Sequence, residues 1–471
     1  MAQDLNATVK KVTLTDTKGK KHMLTGNNPE AQINTIRIYE SIELNTIAAE
    51  LQIIDTAINL IGSTPIVGTE TVEIEMVAPN ISDTTYKWKF VVYGIRNRLV
   101  SKNVQVYILD LFSPEALRNE TLRVGKTIAG TGDAIVQEIL SNYLDTDKEI
   151  ITEPCKYRMK QIPALKRPFD VISSFLPECV SSSTNTPLAP QSSSTSSGGG
   201  SSSASGGSTQ AATKNSATVI SGTAGYMFFE TYDGYVFKSI DALIKENQNK
   251  HREYIYGFAQ GEGSDAEKNS YLILNYSFGS QENILKKMRY GVYSSMISFF
   301  NPSTLEYEEY FFDLSKEYPK MVHLGTDEDI PKSIKKLSEY PSRVMLQFFD
   351  HETFHDQDTI ADPQKAGKSG GTQYPDFRKQ WVAQSISRSM ILNNQILNIT
   401  IPINFEIRAG DKLNVKLPNQ SVSSEREKEK YDLANSGLYM VKKISYDVTR
   451  DSDKGLIAVC NLELIRDNLG S

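Results

Sequence analysis

Histidine, cysteine and tryptophan are all scarce in this chain, with 5 His, 3 Cys and 2 Trp in 471 residues. The cysteines, Cys155, Cys179 and Cys460, lie far apart in sequence and form no CxxC pair. That excludes a disulfide framework and a cysteine-based zinc ribbon, and it leaves three thiols expected to serve as small buried hydrophobes in a reducing compartment. Five histidines give acid–base and metal chemistry few places to operate. No apolar run approaches the roughly 18–20 residues needed to cross a bilayer. The first residues, Met1 to Asn6, carry neither a basic segment nor an apolar one, so no signal peptide and a soluble chain are expected. A basic excess is missing as well. Lys and Arg number 51 against 57 Asp and Glu, a net charge of −6, which argues against a dedicated nucleic-acid binder.

What is present is strand-like. The length predicts three or four domains, and 39% hydrophobic residues supply their cores. Val72, Ile74 and Met76 interleave with Glu73 and Glu75, and Tyr86, Trp88 and Phe90 interleave with Lys87 and Lys89. Period-two alternation of this kind marks half-buried β-strands with one wet face. Val12–Thr15, Thr35–Leu44 and Ala48–Asp55 read as further strands, with Lys18-Gly19-Lys20 as a turn, and together they predict a small antiparallel barrel or sandwich. The C-terminal region repeats the theme. Ile403, Phe405 and Ile407 alternate with Asn404, Glu406 and Arg408; an Ala409-Gly410-Asp411 turn follows; then Leu413, Val415 and Leu417 alternate with Lys412, Asn414 and Lys416. Leu438–Val448 and Leu456–Ile465 complete a second, separate β unit. Two such units in one chain imply a diverged duplication, although no residue-level repeat is visible.

The middle is mixed α and β. Asp133 is expected to cap a helix carrying Ile135, Val136, Ile139, Leu140, Tyr143 and Leu144. Pro168 is placed as the first residue of a second helix, with Val171, Ile172, Phe175 and Leu176 on one side and Pro177 as its stop. From Ser181 to Gly222 the composition collapses to Ser, Gly, Thr and Ala, too little apolar surface to offset ordering, so a flexible coil is expected. A second polar insert, Ser421–Lys430, reads as a charged hairpin loop. Tyr226–Phe237 then offers two aromatic strands around Asp233-Gly234, a strong short-range hairpin signal. The 23 tyrosines are read as sheet-packing residues rather than as a stacking platform for sugars or single-stranded nucleic acid.

Three motifs carry possible chemistry. His351-Glu352-Thr353-Phe354-His355 matches H-E-x-x-H, in which two histidines one helical turn apart hold zinc and the glutamate acts as base. Its context is wrong. Val344–Phe349 upstream reads as a strand, the downstream residues form a polar loop without a helical stripe, and no third ligand follows His355 before Glu406. The match is judged coincidental. Gly125-Lys126-Thr127 lacks the glycine five residues earlier that a phosphate loop needs, since Glu120 stands there. Gly130-Thr131-Gly132 lacks the third glycine of a dinucleotide fingerprint and is read as following no strand. No nucleophile–base–acid set is visible, and the residues by themselves indicate a multi-domain, β-rich binding or assembly protein that needs no cofactor.

The order of the parts resembles a known family. It runs from a β unit through Ser113-Pro114-Glu115-Ala116-Leu117-Arg118 to Arg167–Leu176. After the Ser-rich gap it continues with Gly225–Tyr235 and ends with Phe405–Leu413. This is similar to the central baseplate hub proteins of T-even-like, contractile-tailed bacteriophages, and more distantly to the N-terminal half of the type VI secretion spike protein VgrG. The aromatic Asp-Gly hairpin and the Ala-Gly-Asp turn are the most specific parts. The resemblance implies a β-rich α+β fold with two tail-tube-like antiparallel β-barrels, residues 1–110 and residues 251–313 together with 391–468. It implies a mixed α/β domain at 111–250, interrupted by the loop 181–222, and an outer domain at 314–390. It further implies a homotrimer whose six barrels form a ring between tail tube and spike. The expected partners are a spike or lysozyme-like baseplate protein, tail-tube or tube-initiator proteins and the tape-measure protein, with DNA passing transiently through the lumen and no membrane contact. The location implied is the virion tail baseplate, after assembly in the host cytoplasm. The family carries no catalytic residues to transfer. A zinc peptidase built on His351, Glu352 and His355 is the alternative from another class. A VgrG-like spike component is a third reading, disfavoured because no OB domain or β-helix is expected after the second β unit.

Overall fold

A computed structural model describes the chain except for residues 1–6, 27–30, 57–59, 64–65, 103, 157, 183–223, 247–249, 258–269, 280–282, 303–304, 326–329, 349–376, 420–430, 452–454 and 468–471. The H-E-x-x-H string, the charged insert and nearly all of the Ser/Gly tract therefore lie outside the described residues.

The N-terminal β unit contains β1 (Thr8–Thr15), β2 (Lys21–Met23), β3 (Gln32–Ser41), β4 (Ala48–Asp55), β5 (Thr71–Ala78), β6 (Ser82–Ser101) and β7 (Val104–Phe112). All their pairings are antiparallel. The alternation read from sequence is realised: Val72, Ile74, Met76, Trp88 and Phe90 are buried, while Lys87 and Lys89 are exposed and Glu73 and Glu75 partly so. The middle of the chain holds β8 (Ile128–Thr131), β9 (Ile150–Thr152), β10 (Arg158–Gln161), β11 (Tyr226–Thr231) and β12 (Gly234–Ser239). The C-terminal unit comprises β13 (Tyr254–Tyr256), β14 (Leu272–Ile273), β15 (Asn275–Phe278), β19 (Gln395–Pro402), β20 (Lys412–Lys416), β21 (Gly437–Asp451) and β22 (Gly455–Arg466). A separate three-stranded sheet of β16 (Ser294–Asn301), β17 (Glu306–Asp313) and β18 (Arg343–Phe348) is inserted within it.

The two β units are not separate, as the sequence implies, but joined. Strand β21 pairs with β3 over Lys443–Thr449, so a single 14-stranded sheet runs through both. Their interiors form one apolar cluster, from Val12 and Leu14 to Leu462 and Leu464. Within the C-terminal unit the pairings run β13–β20–β21–β22–β19–β15, and β14, one residue before β15, returns to β13.

Several local expectations change. Ile403–Arg408 is not a strand: the chain turns at Phe405–Glu406, with Ile403, Phe405 and Ile407 all buried. The polar residues between them make this possible. Asn404 accepts the Glu406 N–H (2.9 Å) and donates to the Tyr254 hydroxyl (3.0 Å), and Arg408 donates to the Phe405 and Ile407 carbonyls. Period two here records a buried plug whose polar groups bond to their own backbone. Asp133 is not a helix cap. The helix Gly132–Glu138 starts from Thr131, and Asp133 accepts the N–H of Cys155 at 2.9 Å. The helix then widens into a π segment, Ile139–Tyr143. Pro168 does open the helix Pro168–Phe175, which continues past the expected stop as a 3₁₀ turn, Leu176–Glu178.

The Gly130-Thr131-Gly132 stretch does follow a strand, since it ends β8 and opens a helix. Its glycine serves packing, because a Cβ on Gly132 would lie 2.7 Å from the Cys179 sulfur and 2.9 Å from that of Cys155. In the β11–β12 hairpin the two turn residues are Tyr232 and Asp233, one position earlier than an Asp-Gly turn requires. Gly234 is demanded instead by close approach: at φ 138° its Cβ would sit 2.2 Å from the Glu149 carbonyl oxygen, and Tyr235 N–H donates to that oxygen.

The flanks of the Ser/Gly tract pack together. Phe169, Ile172 and Phe175 share a core with Tyr226, Phe228, Tyr235 and Phe237, and the tract leaves and returns at a bridge between Val180 and Ala224.

Candidate functional site: a self-neutralised sheet face

The alternation that buries one side of the large sheet leaves the other side polar, and the strand register aligns the polar residues in rows. One row runs Asp110, Glu50, Arg37, Asp447 across β7, β4, β3 and β21. The next runs Phe112, Ala48, Tyr39, Ser445, Asn461, Thr400, Asn275 from β7 to β15. A third runs Ser41, Lys443, Glu463, Asn398, Ser277. The intervening rows, such as Leu111, Ala49, Ile38, Tyr446, Cys460 and Ile401, point into the core. The polar face therefore crosses the β3–β21 joint without a break.

Its charges are interleaved. Arg37 lies 3.7 Å from Glu50 and 3.8 Å from Asp447; Arg96 binds Asp110 (2.7 Å) and Glu50; Lys443 lies 3.4 Å from Glu463 and 3.5 Å from Glu43. Amide and hydroxyl groups fill the gaps, with Thr400 donating to Asn461 (2.8 Å) and Asn461 donating to Asp447 (2.6 Å). Burial and the Glu50 carboxylate push the Tyr39 phenol up, so it stays neutral at ordinary pH. Half-exposed pairs of this kind add only about 0–1 kcal/mol each to stability. Their consequence is electrostatic: each cation is cancelled locally, and a phosphate chain passing over the face meets no basic track to hold it. A shallow cleft of about 480 Å³ opens on this face over the joint, with Tyr39, Leu44, Ser277, Asn398 and Glu463 in its lining.

Behind the face, buried charges fix the middle domain to the sheet. Glu40 on β3 accepts the N–H of Tyr232 (3.0 Å) from the hairpin turn and the N–H of Ala409 (3.3 Å). Arg408 donates to Asp233 (3.2 Å) and lies over the Tyr232 ring at 4.8 Å. The hairpin and the Ala-Gly-Asp turn, far apart in sequence, thus meet around one buried carboxylate. Gly410 belongs to this contact, since a Cβ there would come within 3.0 Å of Phe229. Burial pushes the Glu40 carboxyl up to about 7, against the pull of Arg408 and the two N–H donors. Tyr232 also closes an aromatic cluster with Tyr86 (5.2 Å) and Trp88 (5.2 Å), and Trp88 meets Phe405 at 5.4 Å.

A second joint is built on Glu230, which accepts from Ile47 N–H (2.9 Å), Ser113 Oγ (2.9 Å) and the Lys148 ammonium, while Lys148 also binds Glu115 at 2.7 Å. Burial raises the Glu230 carboxyl. Burial also disfavours the Glu115 carboxylate, yet Lys148, with the Thr146 hydroxyl, outweighs it and holds Glu115 below the ordinary range. A third joint centres on Arg388, which bridges Asp467 and Asp241 at 3.0 Å each.

No group of three or more His, Cys, Asp or Glu side chains among the described residues could hold a metal ion. The three histidines in that set each face a carboxylate: His22 with Asp16, His251 with Asp411 and His323 with Asp467. His351, Glu352 and His355 lie outside the described residues. Gly125–Thr127 forms a bend before β8. All three cysteines are buried, and Cys155 and Cys179, far apart in sequence, meet across Gly132. No described helix is long and apolar enough to cross a membrane. The polar rows themselves were written in the sequence as the hydrophilic half of each alternation. Which strands stand side by side was not.

No family model matches the chain, and no curated protein matches it. Solved structures are similar to it over nearly its whole length. The tail protein from Neisseria meningitidis is 8% identical with a TM-score of 0.49, over 98% of this chain and 97% of that one. The 43 kDa tail protein of prophage MuSo2 from Shewanella oneidensis is 8% identical with a TM-score of 0.48, over 99% and 100%. An E. coli type VI secretion component, described as structurally similar to the T4 bacteriophage tail proteins gp27 and gp5, is 8% identical with a TM-score of 0.40, over 99% and 78%.

Proposed function

We propose that this chain is a non-enzymatic structural protein of a contractile phage tail, the central hub of its baseplate. In this reading three copies assemble into a ring. Each copy contributes two β units, so the ring presents six-fold symmetry to a tail tube and three-fold symmetry to a cell-puncturing spike.

The observation that carries the reading is the continuous polar face. Two β units stand side by side through β3–β21, and rows of polar and interleaved charged residues on their common outer surface run across the joint. A wall past which DNA must slide needs that combination, because a basic lining would retain the phosphate backbone and an apolar lining would not wet. The buried joints at Glu40, Glu230 and Arg388 fit the same role, since they make the two units and the middle domain one mechanical body. The partners in this reading are a spike or lysozyme-like baseplate protein below, tail-tube or tube-initiator proteins above, and the tape-measure protein within the lumen. Assembly takes place in the host cytoplasm and the product resides in the virion baseplate.

The test is the native mass of the purified chain, alone and with a co-expressed spike protein. A trimer that binds spike is expected. A stable monomer that ignores both spike and tube proteins would overturn the reading. Elemental analysis addresses the peptidase alternative: stoichiometric zinc that disappears in His355→Ala would revive it.

A further inference from the structure

Cys155 and Cys179 are separated in sequence by β10 and the helix Pro168–Phe175, yet they face one point in the core of the middle domain. The backbone brings them there. Cys155 stands opposite Ser181 in an antiparallel bridge, flanked by hydrogen bonds from Lys156 N–H to the Val180 carbonyl (2.9 Å) and from Ser182 N–H to the Pro154 carbonyl (3.0 Å). Cys179 is extended and lies two residues before Ser181, so its side chain falls on the same side as that of Cys155, on the diagonal. Gly132 stands at the meeting point: a Cβ there would lie 2.7 Å from the Cys179 sulfur and 2.9 Å from the Cys155 sulfur. The two thiols are within hydrogen-bond reach of each other.

The surroundings leave room for the two sulfurs to close on each other. Gly132 puts no side chain between them, and Phe175, Tyr226 and Phe237 belong to the same apolar cluster, with the Phe237 ring reaching the same point. Cys179 makes only a long contact to the Phe175 carbonyl, at 3.5 Å, and burial pushes its thiol well up, so it stays protonated in the closed molecule. Cys155 is the less enclosed of the pair, 6% exposed against 1%. Cys460 lies in a different core, among the strands of the large sheet, and takes no part.

We propose that Cys155 and Cys179 are a disulfide site: they bond to each other when the protein meets an oxidising disulfide, and the bond fastens the two ends of the 155–179 segment together. The chemistry is a pair of thiol–disulfide exchanges. The Cys155 thiolate attacks a small disulfide such as oxidised glutathione, and one glutathione thiolate leaves. The Cys179 thiolate then attacks the Cys155 sulfur of the mixed disulfide, and the second glutathione thiolate leaves. Two protein thiols are oxidised, one glutathione disulfide is reduced to two thiols, and the two protein protons end on those thiols. Both sulfurs are enclosed, so exchange proceeds from locally opened molecules and the closed form preserves whichever state it has. The dithiol belongs to a reducing compartment and the disulfide to an oxidising one. By restricting the unfolded chain, a cross-link closing residues 155–179 favours the folded middle domain by about 100-fold. A single copy suffices for this chemistry, so it does not depend on ring assembly.

The test equilibrates the full chain with mixtures of reduced and oxidised glutathione, in native buffer and in urea, starting once from the dithiol and once from the disulfide. Acid quenching, alkylation and peptide mass mapping then give the state of each thiol. Using both starting points keeps slow exchange from deciding the result. In native buffer the Cys155–Cys179 disulfide should persist at a glutathione balance about 100-fold more reducing than in urea, with Cys460 alkylated as a free thiol. A native pair no easier to oxidise than the unfolded one would overturn the proposal. So would a native chain that stops at the mixed disulfide with glutathione, or one that bonds either cysteine to Cys460. As a second readout, the disulfide form should slow hydrogen exchange at Met159 and Phe169 by a similar factor and leave β6 and β7 unchanged. Faster exchange at Met159 and Phe169 in the disulfide form would mean that the fold does not accommodate the bond, and would equally refute it.

Discussion

Arg388 offers the sharpest quantitative test of how this chain is held together. Its guanidinium is 1% exposed and spans two carboxylates, Asp467 after the last strand and Asp241 in the helix Ile240–Lys245, and it also donates to the Val322 carbonyl. Asp467 is fully enclosed and accepts in addition from His323 (2.8 Å) and the N–H of Leu324 (2.8 Å). Burial alone would raise its pKa. The hydrogen bond from His323 and the charge of Arg388 outweigh burial and hold it at about 2 instead of 3.8. That difference corresponds to roughly 2–3 kcal/mol. Arg388→Met keeps the volume but strands two buried carboxylates, which should cost about 3–5 kcal/mol. Arg388→Lys should fall between, since one ammonium cannot fork across both partners. A depressed carboxylate contributes stability above its unfolded pKa and loses it as pH falls. The native protein should therefore weaken between about pH 4 and pH 2, and the variant, already weakened, should show a shallower dependence there. With several cores the chain is not a simple two-state unit. The suitable assay is hydrogen exchange at 318–325 and 437–467, with β6 and β7 as an internal reference. A loss below about 1 kcal/mol, or an unchanged pH slope, would refute the argument.

Lys148→Met should be comparably severe, about 3–5 kcal/mol, because it leaves Glu115 and Glu230 facing each other without a cation; urea unfolding followed by near-ultraviolet circular dichroism reads it. Gly234→Ala forces a Cβ against the Glu149 carbonyl at a backbone angle that favours glycine, so the β9–β12 pairing should open and exchange rapidly at Tyr235; an unperturbed Tyr235 amide would contradict the close approach. Replacing residues 185–221 with about eight Gly and Ser residues should leave the fold intact and stabilise it by roughly 1 kcal/mol through loop-closure entropy, since the tract begins and ends at the Val180–Ala224 bridge; unfolding of the middle domain would show that the tract contributes structure. Glu50→Lys with Asp447→Lys should convert the sheet face into a basic track and create salt-sensitive DNA binding absent from the native chain; native binding of equal strength at about 150 mM salt would count against the proposed lumen role.

Much of the secondary structure was legible because it follows from local pattern. Ala48–Asp55 alternates in sequence and forms a strand with those bounds, and Pro168 opens its helix as proline geometry demands. The failures occurred where a distant group answers a local need. Ile403–Arg408 alternates like a strand, but its polar members find Tyr254 and their own carbonyls, so no ladder forms. Asp133 resembles a cap until Cys155, twenty-two residues on, supplies its donor. Gly234 resembles a turn glycine until Glu149 arrives beside it. The candidate face was half legible. Each strand announced a polar side, yet the joint that makes those sides one surface is the β21–β3 pairing, between residues some four hundred positions apart. No period or spacing encodes such a partner; it is decided by the shared core that both units bury.

The placement of ion pairs separates what holds this molecule from what it shows. Three buried carboxylates, Glu40 held by the N–H groups of Tyr232 and Ala409 near Arg408, Glu230 paired with Lys148, and Asp467 paired with Arg388, lie where the middle or outer segments meet the large sheet. Burying a charge is costly unless its partner is in place. Such joints therefore penalise every misaligned docking and specify one geometry between domains. The exposed pairs do the reverse. Arg37, Arg96 and Lys443 sit in water on the open face, where pairing adds little stability, and each is surrounded by carboxylates on neighbouring strands. Had these positions served stability, apolar or β-branched residues would do better on a sheet surface. Their presence as matched charges is best explained by the surface they create: one that is wetted, carries no net attraction for phosphate, and continues from one β unit into the next.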